Sequence, residues 1–219
     1  MEITEGKKVN NLLKGYNMLL YFSGSMLTDE PTEECVDDFW MTGIMKTFPV
    51  SSNNPRFLNA ISVLRESCSQ KGVCRKRLAD DFNRLFNNGG YALPVESIWS
   101  DKSPLLVNDY ESAKGFYESY GWRSKYEGVI PDDHLGVELL FLTLLIDKYL
   151  SLDDKACTKE LSKEIRRFIS DHLLTWIPQW NTRVQANAQT LCYKGIGTLI
   201  HAIMEDLDAI FTITGRSAS

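Results

Sequence analysis

Apolar residues recur along this chain at intervals of three and four, the repeat of a helix that buries one face. No run shows the strict alternation of a half-buried strand. KKVNNLLKGYNMLLYF (7–22) reads as a first helix ending near Gly24. TDEPTEECVDDFWMTGIMKTF (28–48) predicts a second, with Pro31 near its start and acids in its first turn, where the helix dipole favours them. NNPRFLNAISVLRESCSQKG (53–72) repeats the device, with Asn54 as N-cap, Pro55 at the first helical position and Gly72 as the stop. CRKRLADDFNRLF (74–86) sets Leu78, Phe82, Leu85 and Phe86 on one face. Helices resume with DYESAKGFYESYGW (109–122), the apolar segment after PDDH (135–150) and DDKACTKELSKEIRRFISDHLLTW (153–176). A last long helix is predicted from roughly Asn181 to Phe211. The pattern predicts an all-α, single-domain bundle over residues 1–219, built from about seven to nine helices.

One segment breaks the helical period. NNGGYALPVESIWSDKSPLLVND (87–109) contains Gly89, Gly90, Pro94 and Pro104 together with Tyr91 and Trp99. An irregular loop of this length in a compact domain is either disordered or functional. Its apolar content argues for function.

The formal charge of −5 gives no electrostatic help to nucleic-acid or anionic-membrane binding, so neither partner is expected. Cys35, Cys68, Cys74, Cys157 and Cys192 form an odd set without a C-x-x-C pair, which reads as free thiols in a reducing compartment. Near the N-terminus the longest apolar stretch, Met18 to Phe22, is too short for an export signal. The run after His134 ends at Leu150 and carries Glu138 and Asp147, so it reads as a buried helix rather than a membrane span. The expected location is the cytoplasm.

The densest candidate chemistry lies in VIPDDHLGVELLFLTLL (129–145), where two aspartates and a histidine precede an apolar run. His134 and Glu138 are four apart, as are His201 and Glu205, so each pair shares a helix face. A dimetal carboxylate bundle would instead place Glu three residues before His, and no histidine here has that neighbour. Solvated i,i+4 pairs are the plain reading, and no metal is expected. Asp133 with His134, and His172 elsewhere, could form a base and its orienter in a small metal-dependent hydrolase. No G-x-S-x-G elbow and no Walker-type loop accompanies them. The structural alternative is that Pro131 breaks the preceding chain and Asp132 or Asp133 caps the helix that follows. A carboxylate at that rim could also hold a guanidinium through two parallel hydrogen bonds. Tyr91, Trp99, Trp122, Trp176 and Trp180 crowd the connections. There they either fill the core or line a groove for an apolar peptide.

The order YALPVESIW, YGW, PDDHLGVELLFLTLL and FISDHLLTWIPQW before a final helix resembles the TorD/DmsD/NarJ family of chaperones for molybdenum-containing redox enzymes. The resemblance runs from about Leu78 to Leu207 and more weakly over the first helix, and the P-x-D-H motif is its most specific element. It implies an all-helical, non-enzymatic protein that binds the twin-arginine leader, or the apo form, of a partner reductase subunit until cofactor insertion is complete. The export translocase is a further partner that it suggests. Carried over by position, the peptide site would comprise Tyr21, Phe82, Leu85, Phe86, Tyr91, Trp99, Pro131, Asp133 and His134. Two positions depart from many relatives: Ile130 stands where they have Glu before the proline, and Asn108 where some have Gly. With no phosphate-binding motif, no tightly held cofactor is expected. An adaptor that uses the same groove for another apolar helix stays open as an alternative.

Overall fold

A computed structural model describes residues 2–32, 34, 48–69, 75–87, 89–100 and 112–216. The helix predicted over 28–48 lies mostly outside these residues, as do Gly72 and positions 101–109 of the irregular segment. Among the described residues there are nine α-helices and no strand, so the chain is all-α.

Helix α1 (Glu2–Thr28) continues past Gly24, its predicted end. A Cβ at Gly24 would stand 3.2 Å from the Gly136 carbonyl, and one at Gly136 would stand 3.0 Å from the Gly24 carbonyl. Gly24 therefore serves as the crossing point of α1 with α6 (Leu135–Ser151), where two backbones meet too closely for side chains. Helix α2 (Pro55–Ser69) starts as expected, with Arg56 N donating to Asn54 Oδ1 at 2.9 Å and Pro55 at the first helical position. Helix α3 (Arg75–Phe86) turns Leu78, Phe82, Leu85 and Phe86 into the core, the face read from their spacing.

The 87–100 segment carries one short helix, α4 (Glu96–Trp99). Next come α5 (Ala113–Ser119), capped by Ser112, then α6, then α7 (Lys155–Phe168), capped by Asp154. A π-turn over Ile169–Leu173 interrupts the helix predicted across 153–176. The predicted last helix is in fact two, α8 (Ile177–Asn187) and α9 (Leu191–Arg216). The break is held by the buried Asp81 of α3, whose carboxylate accepts from Gln189 N at 3.0 Å and Thr190 N at 2.8 Å. Side-chain capping of this kind ends one helix and starts another without a glycine or proline between them.

Helix α9 is the axis of the core. Tyr193, Ile196, Leu199, Ile200, Ala202, Ile203, Met204 and Leu207 are all fully buried, as expected of a helix surrounded by others. Its small residues admit its neighbours: a Cβ at Gly195 would stand 2.5 Å from Leu64 of α2, and one at Gly197 2.8 Å from Asn181 of α8. The buried apolar residues form one contiguous cluster reaching from α1 to α9. No helix among the described residues is long and apolar enough to cross a membrane.

Candidate functional site

The start of α6 is a junction of three elements. His134 is its N-cap, and the ring Nδ1 accepts from Gly136 N at 3.1 Å. That bond requires a lone pair on Nδ1, so it favours the neutral imidazole. Burial lowers the His134 pKa to about 4, against the opposing pull of the Asp133 charge. The cap is thus the histidine and not Asp132 or Asp133, as the sequence had suggested.

The two aspartates serve other elements. Asp133 caps α4 from a distance: its backbone oxygen accepts from Glu96 N at 2.9 Å and its Oδ2 accepts from Ser97 N at 2.9 Å. Val95 and His134 form an isolated antiparallel bridge, and Leu135 N donates to the Pro94 carbonyl at 2.8 Å. The Asp132 carbonyl accepts the Tyr117 hydroxyl of α5 at 2.9 Å, and its carboxylate lies 3.8 Å from Lys114 Nζ. The short run PDDH therefore fastens α4, α5 and α6 to one another. With Nδ1 of His134 and Oδ2 of Asp133 both holding backbone amides, these two residues do not form a base and its orienter.

Around this junction several apolar side chains face solvent. Tyr21 on α1 is 60% exposed, Ile98 on α4 54% and Val129 76%. Pro131 is exposed, and Trp99 is half-buried with its indole N–H donating to the Leu93 carbonyl at 2.7 Å. The α1 side of the junction is closed by Tyr126, whose hydroxyl bonds to both Thr28 and Asp29 while Lys125 lies over its ring.

The site residues expected from the resemblance fall into two groups. Tyr21, Trp99, Pro131, Asp133 and His134 belong to the α1, α4 and α6 surroundings just described. Phe82, Leu85 and Phe86 lie in the core, where Phe86 stacks on Trp180 and meets Tyr193 edge-on, and Leu85 is fully buried. Tyr91 is 57% exposed, with the Arg84 guanidinium over its ring at 4.9 Å. Of the tryptophans, Trp176 and Trp180 are core residues, and the Trp180 indole N–H anchors the Ala92 carbonyl at 2.9 Å.

Glu138 is not the solvated partner its spacing from His134 suggested. It is fully buried, and with Glu96 and His172 it forms a group in which one donor atom from each residue lies within 4.8 Å of the others. His172 Nδ1 and Glu96 Oε2 are 3.0 Å apart. No local signal marks this group, because its members come from elements 34 to 76 positions apart. His201 and Glu205 do form an i,i+4 pair, at 3.5 Å and beside Arg56, but its histidine is buried rather than solvated.

These features define an all-α protein in which the groups before α6 fasten helices together beside an exposed apolar rim. Comparison with known proteins makes the class specific. The family described as nitrate reductase delta subunit matches residues 53–182. The chaperone protein TorD of Photobacterium profundum is 28% identical over 207 residues, 89% of this chain and 93% of that protein. TorD of a Psychrobacter species is 30% identical over 138 residues, covering 61% of this chain and 62% of that one. TorD of Vibrio cholerae is 31% identical over 108 residues, about half of each chain (48% and 49%). The chain belongs to this family, the TorD/NarJ family that its motifs resemble.

Proposed function

We propose that this protein is a cytoplasmic maturation chaperone, a single domain over residues 1–219, that binds the twin-arginine leader and the apo form of a molybdenum-containing oxidoreductase subunit. The observation that carries the reading is the placement of Asp133. It is a half-buried residue just before α6 whose Oδ2 and backbone oxygen both accept amides of α4, with exposed or half-buried apolar side chains on both elements and on α1. A leader of this class has two arginines followed by an apolar stretch. Trp99, Ile98 and Tyr21 offer rigid apolar surface to the stretch, and Asp133 Oδ1 offers an acceptor to a guanidinium. Pro131 and His134 hold that geometry. Tyr91, beyond α4, extends the apolar surface toward α3. Phe82, Leu85 and Phe86 support the site from beneath rather than touching the peptide.

Trp99→Ala separates this reading from a purely structural role for the rim. Truncating a hot-spot aromatic costs about 2 kcal/mol or more of binding, roughly a 30-fold loss of affinity for the leader peptide. The circular dichroism spectrum should stay that of the wild type. Unchanged leader affinity in a folded Trp99→Ala variant would place the peptide elsewhere.

A further inference from the structure

The buried group of Glu96, Glu138 and His172 has no part in the peptide site proposed above. Glu138 is 0% exposed, His172 3% and Glu96 7%, and their donor atoms converge to within 4.8 Å. Each arrives on a separate element: Glu96 opens α4, Glu138 lies in the first turn of α6, and His172 sits in the π-turn after α7. Backbone bonds fix all three carriers. Glu96 N donates to the Asp133 carbonyl, the His134 cap holds the start of α6, and the His172 carbonyl accepts the Trp176 indole N–H. Isolated π-turns of this kind are concentrated at functional sites.

We propose that Glu96, Glu138 and His172 form a binding site for a divalent first-row transition ion of the zinc type. Ligand atoms at about 2.0–2.2 Å from an ion stand at most about 4.4 Å from one another, so a small side-chain rotation brings the group to ligating size. Two carboxylates and one imidazole meet in a place closed to solvent, a nitrogen and oxygen donor set of the kind that holds such an ion. The surroundings are electronegative as well. The neighbouring buried Tyr117 hydroxyl has its pKa raised, first by burial and then by the charges of Glu138, Asp132, Asp133 and Glu96. One imidazole nitrogen with two carboxylate oxygens suits a transition ion better than magnesium or calcium, and the absence of a thiolate argues against a soft-metal site. Bound there, the ion clamps α4 onto α6 and the π-turn. The inference does not depend on what binds at the surface.

The test uses the full chain, stripped with a chelator and titrated calorimetrically with Zn²⁺, with Co²⁺ absorption reporting the ligand field. One equivalent should bind, with the Co²⁺ bands of a low-coordinate nitrogen and oxygen site. Glu138→Gln, which keeps the side-chain volume, should weaken Zn²⁺ by more than the roughly 10–100-fold cost of losing a supporting residue. Glu96→Gln is the second variant in case Glu138→Gln fails to fold. His201→Ala removes the histidine of the separate i,i+4 pair on α9 and should leave affinity unchanged. Absence of Zn²⁺ binding by the wild type overturns the proposal. So does binding that His201→Ala abolishes and Glu138→Gln retains. A Glu138→Gln chain more heat-stable than a wild type that Zn²⁺ does not stabilise would assign the group a proton instead of an ion.

Discussion

His134 spends its Nδ1 lone pair on Gly136 N, and protonation removes that lone pair along with the cap. Its pKa falls from the ordinary 6.5 to about 4 because of burial. A histidine with a lowered folded pKa binds fewer protons folded than unfolded, so its contribution is present above pH 6.5 and is lost as pH falls toward 4. The loss integrates to roughly 3 kcal/mol. His134→Asn retains an N-cap acceptor but does not titrate. Denaturant unfolding from pH 7 down to 4 should therefore cost the wild type roughly 3 kcal/mol more than the variant; parallel curves would mean that His134 titrates normally. That PDDH opens a helix was legible from its residues. Which residue caps it was not, because aspartate is the usual cap and both aspartates are drawn away by α4 and α5, partners that local spacing does not reveal.

At the scale of elements, two departures from the sequence pattern share one cause: long-range contacts that end or prolong helices. Asp81 of α3 divides what the periodicity joined into α8 and α9 by accepting two backbone amides and the Thr190 hydroxyl. Asp81→Ala removes the buried acceptor of those amides at the half-buried start of α9 and should destabilise the fold by about 1–2 kcal/mol, measured by chemical denaturation. A change below about 0.5 kcal/mol would show that water replaces the carboxylate at no cost. Gly24 works in the opposite sense: read as a stop, it is instead the contact that lets α1 run to Thr28 along α6. By contrast, Asn54, Pro55 and the apolar face of α3 behave as read, because capping by a neighbour and burial at a 3.6-residue period are local properties.

For the whole molecule, the all-α architecture was visible in the periodicity, and the family in the order of its motifs. The depth of each aromatic was not. Trp180 and Trp99 look alike in the chain, yet the first lies in the core with its indole N–H on Ala92, while the second stands half-exposed with its N–H on Leu93. Only the packing of the 89–100 segment between α3, α6 and α8 separates them. Phe82, Leu85 and Phe86 lie in the core, while Tyr21, Ile98 and Val129 are exposed. The proposed leader site thus comprises one rim and one carboxylate, and calorimetric titration with the twin-arginine leader of a reductase subunit tests it most directly. A Lys-Lys version of the peptide and the Asp133→Asn variant are the controls, since asparagine can still accept from Ser97 N but carries no charge. Binding should occur at micromolar Kd or tighter, about −8 kcal/mol, and be weakened roughly tenfold or more by either change. Equal affinity for both peptides, or for both proteins, would contradict a guanidinium held by Asp133.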